Sequence, residues 1–317
     1  MMSLYAERQK AKFVRNESMK VLITGSNGFI GSHVAAHLKK KGIYVIGLDR
    51  GDAPRSEVDE YIACDLFTAE VANIPSKTKA GTPDAIIHLA ADMRKEPYTL
   101  DVISNNCVGT QRLLELCRDA GIRRFAQLSS LPVIGYPRET PITENHTLRP
   151  PTVYHCTKHM QELLASYASD AYGVQCVSFR ISAPVGPRMN EKTILPVFVK
   201  RALAGEDITL LGEGLRRQTY VHVSDIAEAL FLAITVDTAN GVYNLASYNR
   251  VSNRELAELC IKLTGSSSKI LFSGTEDPAD AHDWNISLAK IEKDLGYTPK
   301  VDITDMILEM KDYFTNM

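Results

Sequence analysis

The segment from Tyr154 to Lys158 places a phenol and an amine four residues apart. Residues with this spacing lie on one face of a helix, and the pattern here predicts a helix over Lys158–Ala168 that this segment opens. An ammonium group held beside a phenol lowers the phenol pKa, so that Tyr154 can exchange a proton with a substrate hydroxyl near neutral pH. Ser130 ends an earlier apolar run and can hydrogen-bond the same substrate oxygen. Ser130, Tyr154 and Lys158 are therefore the predicted catalytic residues.

A glycine-rich turn near the start of the chain lies between an apolar run and an amphipathic segment, Phe29–Lys41. Its glycines allow a tight turn, a close approach of backbone to a pyrophosphate, and close packing of a helix on a strand. The N-terminus of that helix offers free N–H groups and a positive dipole end to phosphates. The segment therefore predicts a dinucleotide site. The cofactor-binding residues expected in it are Gly25, Asn27, Gly28, Phe29, Ile30 and Gly31.

Two carboxylates downstream of this turn support the dinucleotide site. Asp49 ends the next predicted strand, where a carboxylate can accept hydrogen bonds from both ribose hydroxyls. The same charge would repel a 2′-phosphate, so the sequence predicts NAD rather than NADP. Asp65 follows the third predicted strand, where a side chain can accept from the adenine amino group. With their neighbours Arg50 and Leu66, these residues complete the predicted adenosine end of the site.

Short β-rich runs alternate with amphipathic stretches from Lys20 onward, a pattern typical of βαβ units. The predicted fold class is α/β, a Rossmann-type doubly wound parallel sheet with a smaller C-terminal α/β substrate lobe. Within it, Tyr154 and Lys158 come at the depth where strand ends gather over a cofactor, which favours catalysis over an exposed helix pair. The predicted strands are Val21–Thr24, Tyr44–Asp49, Tyr61–Cys64, Ala85–Leu89, Phe125–Ser129 and Gln175–Arg180.

The same pattern predicts how the chain divides. Residues 1–18 are expected to be an N-terminal extension, and residues 19–182 to be the NAD-binding domain that carries the catalytic pair. Residues 183–317 are expected to form mainly the substrate lobe, with some segments returning to the first domain.

Composition excludes several classes of protein. The 317 residues are 44% hydrophobic and 23% charged, which is ordinary for a globular enzyme. A net charge of -2 gives no basic field for nucleic acid or an anionic membrane. No apolar run reaches the ~20 residues that cross a bilayer. Six cysteines without paired spacing indicate free thiols in a reducing compartment. We therefore expect a cytoplasmic protein without a metal site.

Ordered motifs from Met19 to the C-terminus match one family. They are Thr24 to Gly31, His88 to Ala91, Asn106 to Thr110, Ser129-Ser130, Pro141 to Glu144, Tyr154 to Lys158 with Glu162, Gly186 to Arg188, Gly212 to Gly214, Val221 to Asp225, and Leu295 to Pro299. With them the sequence resembles the extended short-chain dehydrogenase/reductase family, in its NAD-dependent nucleotide-sugar epimerase and dehydratase group.

The resemblance implies further residue roles and a partner. It makes Ser130, Tyr154 and Lys158 a catalytic triad, with Tyr154 and Lys158 also contacting NAD. It implies that the helices Asn106–Ala120 and Lys158–Tyr172 form a homodimer interface, as in many members. The further cofactor-binding residues that it implies are Leu89, Ala90, Ala91, Asn106, Ser129 and Ile181.

The family mechanism implies that Tyr154, as phenolate, takes a proton from a sugar hydroxyl while hydride passes from that carbon to NAD⁺. An epimerase returns the hydride to the other face of the keto-sugar. Dehydratases of the family need an additional acid and base next to the serine, and here Leu131 and Pro132 occupy those positions. The resemblance therefore favours an epimerase over a 4,6-dehydratase.

The sequence departs from the family where members bind the diphosphate of a nucleotide sugar. Ala183 replaces an asparagine, and Gln218 and Asp277 replace two phosphate-binding arginines. Losing two charge-assisted hydrogen bonds removes roughly 1.5–3 kcal/mol each. Nearby arginines could compensate, or the substrate could differ from a standard UDP-hexose. The candidate substrate-binding residues are Ser130, Ala183, Arg188, Arg216, Arg217, Gln218 and Trp284.

Three functions remain open at this point. The first is a sugar-modifying enzyme with tightly held NAD, most simply a nucleotide-sugar 4-epimerase. The second is a net dehydrogenase or reductase of a smaller or non-nucleotide substrate, which the lost phosphate ligands favour. The third is a non-catalytic NAD-binding sensor, although a sensor has no need of all three predicted catalytic residues.

Overall fold

The computed structural model describes residues 18–93 and 100–317, so residues 1–17 of the predicted extension lie outside it. Its strands are β1 (Lys20–Thr24), β2 (Tyr44–Asp49), β3 (Glu60–Ala63), β4 (Ala85–His88), β5 (Arg124–Ser130), β6 (Gln175–Ile181), β7 (Ala183–Val185), β8 (Ile208–Leu210), β9 (Arg217–His222), β10 (Gly241–Leu245), β11 (Asn249–Ser252) and β12 (Ile270–Phe272).

The helices account for most of the remaining described chain. They are α1 (Phe29–Lys40), α2 (Ile74–Lys77), α3 (Leu100–Ile103), α4 (Gly109–Ala120), α5 (Val153–Tyr172), α6 (Ile194–Leu203), α7 (Val223–Thr235), α8 (Asn253–Thr264), α9 (Ala289–Leu295) and α10 (Ile303–Thr315), with 3-10 turns at Ala69–Asn73 and Leu131–Ile134 and a π turn at Ser104–Val108. In the part of the chain that the structure describes, no helix is long and apolar enough to span a bilayer.

The large sheet confirms the predicted α/β fold class. Seven strands of the described chain lie in the order β10-β6-β5-β4-β1-β2-β3, and every neighbouring pair is parallel. Strands β1, β4 and β5 are buried on both faces, which explains their nearly continuous apolar runs. The strand order reverses beside β1, and such a switch point opens a crevice at the carboxyl ends of the strands.

Helices cover both faces of this sheet. On one face, α1 and α7 pack through residues such as Val34, Leu38 and Leu230. On the other face, α4 and α5 pack through residues such as Leu113 and Ala165. The two layers hold the sheet rigidly, so the loops at its carboxyl edge have fixed starting points.

The helix that carries the predicted catalytic pair begins earlier than the sequence predicted. Helix α5 begins at Val153 rather than Lys158, because the Thr152 side chain accepts a hydrogen bond from the His155 N–H and caps it. Gly173 ends it in the left-handed conformation, with φ of 68°. The prediction of a start at Lys158 is therefore wrong, and Tyr154 lies in the first turn.

The other boundaries differ from the predictions mainly by one residue at an end. The predicted helix Asn106–Ala120 consists of the end of the π turn followed by α4. The predicted strand Tyr61–Cys64 is β3, shifted by one residue. Residue patterns define the ends of strands and helices poorly, because the terminal N–H and C=O groups can bond either within the element or in the adjoining turn.

A smaller lobe stands at the carboxyl edge of the large sheet. It contains the sheet β11-β9-β7 and the parallel pair β12-β8, which pack with helices α6, α8 and α10 around a separate apolar core. The chain does not stay in this lobe, because β10 joins the large sheet beside β6. The lobe and the sheet edge enclose one long cleft.

Candidate active site

The cleft between the large sheet and the smaller lobe has a volume of about 1010 Å³. All three predicted catalytic residues line it, together with most of the predicted binding residues. The lining residues that the sequence predicted are Gly25, Gly28, Phe29, Ile30, Gly31, Asp49, Arg50, Asp65, Leu66, Leu89, Ala90, Ala91, Asn106, Ser129, Ser130, Tyr154, Lys158, Ile181, Ala183, Arg216, Gln218 and Trp284.

The glycine turn is built for close packing at one end of the cleft. Gly25 has φ of 70°, and a Cβ on Gly31 would lie 2.0 Å from the Gly25 carbonyl oxygen. Gly28 precedes α1, which has no side-chain cap and no acidic residue in its first turn. The first N–H groups of α1 are thus left for an anion, and this arrangement fits the pyrophosphate of NAD.

Asp49 lies where the adenosine ribose of NAD is expected. Its carboxylate accepts hydrogen bonds from the backbone N–H groups of Asn27 (3.1 Å) and Arg50 (2.8 Å), which fix its orientation. The Asn27 side chain is engaged elsewhere, since it bonds the Ala53 carbonyl oxygen at 3.0 Å and the Arg55 N–H at 2.7 Å. Asn27 does not line the cleft, and its side chain instead secures the loop after β2.

The catalytic pair departs from prediction in its electrostatics. Lys158 Nζ lies 5.7 Å from the centre of the Tyr154 ring and donates a hydrogen bond to the Leu128 carbonyl oxygen at 2.9 Å. Burial raises the pKa of Tyr154 to about 12, and burial also lowers the pKa of Lys158 to about 8. The predicted lowering of the phenol pKa is therefore wrong for the protein alone, because burial outweighs an ammonium group that is directed at a carbonyl.

His88 has a structural role beneath the cleft. Thr24 Oγ1 accepts hydrogen bonds from the Leu89 and Ala90 N–H groups. The Thr24 hydroxyl therefore donates its own hydrogen to His88 Nδ1, at 2.7 Å. His88 Nε2 then meets Thr110 Oγ1 at 3.0 Å. Burial, followed by the nearby charge of Lys158, lowers the pKa of His88 to about 3. The imidazole stays neutral and acts as a link between β1, β4 and α4.

Asn106 positions the segment beside the predicted nicotinamide end. Its side chain bonds the backbone of Asp92 twice, at 2.7 and 3.0 Å, and Thr157 Oγ1 at 2.9 Å. Asn106 is buried and lies in the π turn before α4. It connects the loop after β4 to the first turns of the catalytic helix.

A buried ion pair beneath the catalytic residues was missed by sequence reasoning. Glu162 accepts from Arg180 Nε at 3.0 Å and Arg180 Nη2 at 2.8 Å, and from Ser129 Oγ at 2.5 Å. The side chains of Arg180 and Glu162 are only 5% and 3% exposed. The pair fixes α5 to β6, one turn beyond Lys158. Glu162 belongs to a motif of the sequence, but Arg180 comes from a distant strand and no spacing indicates their contact.

The structure separates the two neighbouring arginines at the start of β9. Gln218 and Arg216 line the cleft, whereas Arg217 pairs with Glu255 of α8 at 2.8 Å. Arg188 has φ of 71° and donates to the Asn27 carbonyl oxygen at 3.3 Å. Neither Arg217 nor Arg188 lines the cleft, so these two predicted substrate residues are not brought to it.

Several residues of the predicted substrate end were not predicted, and two of them carry buried hydroxyl groups. Tyr220 and Ser182 line the cleft, and each has a buried hydroxyl without a hydrogen-bond partner among the described residues. Asp277, which replaces a family arginine, does not line the cleft, and its carboxylate accepts from the Ala279 N–H at 2.9 Å. Period-2 alternation from Gln218 is the signal that points to Tyr220, whereas nothing in the sequence singles out Ser182. No cluster of side chains suited to a metal ion occurs in the described residues.

Comparison with known proteins agrees with this geometry. Residues 21–246 match the family described as the NAD dependent epimerase/dehydratase family. A dTDP-glucose 4,6-dehydratase of Actinoplanes sp. is 30% identical, over 92% of this chain and 96% of the relative. A UDP-glucose 4-epimerase of Mycolicibacterium smegmatis is 27% identical, over 94% of this chain and 99% of the relative.

Solved structures give the same result. The structure of the Thermotoga maritima UDP-glucose 4-epimerase with UDP-glucose is similar, with a TM-score of 0.84 and 25% sequence identity. The match covers 94% of this chain and 99% of the epimerase chain. The Thermus thermophilus UDP-glucose 4-epimerase complex with NAD has a TM-score of 0.80 and 27% identity, with the same coverage. The chain therefore belongs to the NAD-dependent epimerase/dehydratase family of the extended short-chain dehydrogenase/reductases.

Proposed function

We propose that this NAD-dependent enzyme is a nucleotide-sugar 4-epimerase. The observation that carries the proposal is the cleft itself, in which Ser130, Tyr154 and Lys158 stand between the glycine turn and the smaller lobe. A proton-transfer set that faces both a cofactor end and a substrate end suits a reversible oxidation of one sugar carbon.

The roles of the chain's residues follow from their positions. Bound NAD supplies a reversible hydride acceptor for the sugar carbon. Ser130 holds the sugar oxygen, and Tyr154 takes its proton and later returns it. With a pKa of about 8, Lys158 is mostly charged at neutral pH, and its charge 5.7 Å from the Tyr154 ring centre opposes, without cancelling, the rise that burial gives the phenol pKa. Because Tyr154 returns to the sugar oxygen the proton that it took, the reaction needs no further acid or base.

An epimerase fits this site better than a dehydratase. After Ser130 come Leu131 and Pro132, which both line the cleft. Their side chains are hydrocarbon and can neither donate nor accept a proton. The carboxylates of Asp49 and Asp65 also line the cleft, but they lie at the predicted adenosine end. Asp92 lines the cleft next to Ala91, and its carboxylate accepts a hydrogen bond from Asn105 Nδ2 at 2.9 Å. Elimination across the sugar ring requires an acid and a base near the reacting carbons, and the residues after Ser130 do not supply them.

The test is to incubate the purified protein with UDP-glucose, UDP-galactose and dTDP-glucose and to identify products by NMR. We expect 4-epimers without accumulation of NADH. Tyr154→Phe should lower kcat about 10²–10⁴-fold with NAD still bound, and Tyr248→Phe, at an exposed tyrosine that does not line the cleft, is the matched control. A 4-keto-6-deoxy product would replace the proposal with a dehydratase, and full activity of Tyr154→Phe would overturn the catalytic assignment.

A second candidate is a net dehydrogenase or reductase of a non-nucleotide substrate. Gln218 and Asp277 favour it, because they stand where the resemblance implies phosphate-binding arginines. This candidate predicts exchangeable cofactor and stoichiometric NADH absorbance at 340 nm with its substrate. Near-stoichiometric NAD released on denaturation of the purified protein would instead support the epimerase.

We also propose that the enzyme is a homodimer formed through α4 and α5. Met160, Leu163 and Tyr167 form an apolar stripe on α5, with exposures of 46%, 51% and 58%. Val108 extends the exposed apolar surface at the start of α4. Sedimentation velocity should give a dimer that Leu163→Glu dissociates, and a monomeric wild-type protein would contradict the proposal.

A further inference from the structure

Two adjacent arginines at the start of β9 have different surroundings, although Gln218, Thr219 and Tyr220 of this strand all line the cleft. The pairing with β11 and β7 places β9 in the middle of a three-stranded sheet. Arg216 lines the cleft. Arg217 does not line it and is paired with Glu255. Of these two adjacent arginines, the structure therefore brings only Arg216 to the cleft.

The guanidinium group of Arg216 lacks a partner among the described residues. Its Nε is buried and makes no hydrogen bond. The nearby carboxylate of Asp280 accepts the backbone N–H groups of Glu213, Leu215 and Arg216 instead. Asp283 pairs with Arg250 at 3.3 Å. A buried donor without a partner costs free energy, and native proteins leave few of them, so a ligand is the expected partner.

A second unpartnered donor lines the same part of the cleft. Trp284 is 8% exposed, and its indole Nε1 is buried without a hydrogen-bond partner. Its backbone is fixed beside β9, because its N–H donates to the Arg217 carbonyl oxygen at 3.2 Å and its carbonyl accepts from Thr219 Oγ1 at 2.6 Å. The Trp284 backbone is thus fixed against the first residues of β9, and its side chain lines the cleft there.

The chemistry of these two groups specifies the kind of ligand. Guanidinium and indole N–H groups only donate, so their common ligand must be rich in acceptors. The positive charge of Arg216 favours an anion, and its planar fork matches the oxygens of a phosphate. Burial raises the pKa of the neighbouring Tyr220 phenol, so this hydroxyl stays neutral beside that anion.

We infer that Arg216, with Trp284 Nε1–H as a second donor, is the specificity-determining ligand of the substrate diphosphate. This inference rests on the proposed nucleotide-sugar function. In this chain Arg216 would bind the diphosphate, whereas the resemblance implies that arginines at positions 218 and 277 bind it in other members. Arg216 immediately precedes β9 and lines the cleft as Gln218 does, so a cation at position 216 can reach the same phosphate along a different side-chain path.

The test measures binding of UDP, UMP and uridine to the NAD-loaded protein by calorimetry. Arg216→Met should weaken UDP binding at least about 30-fold and leave uridine binding within about twofold. Trp284→Phe should weaken UDP binding about 5–10-fold, since it removes one neutral donor. Arg217→Met, at the adjacent arginine that does not line the cleft, is the matched control and should bind UDP like the wild type.

A rescue variant protects the test against a folding defect. Arg216→Met combined with Gln218→Arg returns a cation to the family position in the cleft and should recover at least about tenfold in UDP affinity. Unchanged UDP binding by Arg216→Met overturns the inference while the proposed function stands. A wild-type protein that binds no UDP overturns the nucleotide-sugar function and this inference together.

Discussion

The two ends of the cleft are built by different means. The cofactor end is formed by residues 25–66 and 89–91, where backbone groups and glycines make the surface. The predicted substrate end is formed by residues 182–185, 189–190, 193–195, 216, 218–220, 284 and 286, where side chains from separate segments converge. At the predicted cofactor end the Asp49 carboxylate lies between two backbone amides, and Ser26 Oγ, beneath the glycine turn, is buried without a partner. At the substrate end, Ser182, Arg216, Tyr220 and Trp284 each leave a buried polar atom without a partner.

This difference separates the part of the cleft that the fold constrains from the part that can vary to change ligand choice. A backbone cradle tolerates almost no substitution at its close contacts, since any added atom collides with main chain. A side-chain cluster can exchange its members as long as the charge reaches the same place. We therefore expect substitutions at the cofactor end to change stability and NAD binding, and substitutions at the substrate end to change ligand choice.

The largest effect is expected from Gly31→Ala. Its Cβ would lie 2.0 Å from the Gly25 carbonyl oxygen, so the turn must open. NAD binding should weaken at least about 100-fold, or about 2.8 kcal/mol, with a loss of folding free energy of about 1–3 kcal/mol. Calorimetric titration with NAD measures the first, and Gly51→Ala, whose Cβ has 3.5 Å of clearance, is the control. Normal NAD affinity in Gly31→Ala would show that the cradle is not tightly constrained.

A smaller effect concerns Lys158, where the two ends meet. Burial lowers the pKa of Lys158 from 10.5 to about 8, so below pH 8 the full cost of burying the charge is present. Lys158→Met should therefore raise the free energy of unfolding by about 1–3 kcal/mol at pH 7 while abolishing turnover.

The stability gained by Lys158→Met should depend on pH. Between pH 8 and 10.5 the folded wild-type protein loses the proton before the unfolded chain does, so its cost declines and the advantage of Lys158→Met shrinks. Thermal melting across this range measures it, with exposed Lys192→Met as the control. A constant advantage, or a loss of stability at pH 7, would contradict a desolvated ammonium group.

The smallest effect is expected at the substrate end itself. Ser182 Oγ is buried without a partner, so Ser182→Ala should change folding free energy by no more than about 0.5 kcal/mol. Ser178→Ala is the matched control in the sheet, because its hydroxyl accepts from Gln127 Nε2 at 2.8 Å, and it should cost about 1 kcal/mol. Chemical denaturation compares the two. Equal losses would mean that the hydroxyl of Ser182 is satisfied after all.

The sequence predicted most of the cofactor end because its signals are local. The glycine turn, Asp49 and the pair Tyr154 and Lys158 lie in short segments whose spacing has one physical meaning. Asn27 does not line the cleft, because its side chain bonds the loop after β2, and a glycine-rich turn does not reveal which of its side chains turns back in this way.

The substrate end was only partly predictable because its contacts are long-range. Arg216, Arg217 and Arg188 are equivalent by charge, and only the register of β9 and the pairing with Glu255 separate them. The ion pair of Glu162 with Arg180 and the meeting of Trp284 with β9 depend on tertiary packing that no local pattern contains.

The return of β10 to the large sheet has a consequence for how the protein is made. Strand β6 is synthesised by Ile181, but its outer neighbour β10 begins only at Gly241, after much of the smaller lobe has been translated. Until then β6 is an open edge of a parallel sheet, which is a template for pairing with other chains. A nascent chain that stalls between these two strands should be especially dependent on chaperones. The lobe that contributes the substrate end therefore also carries the strand that closes the sheet.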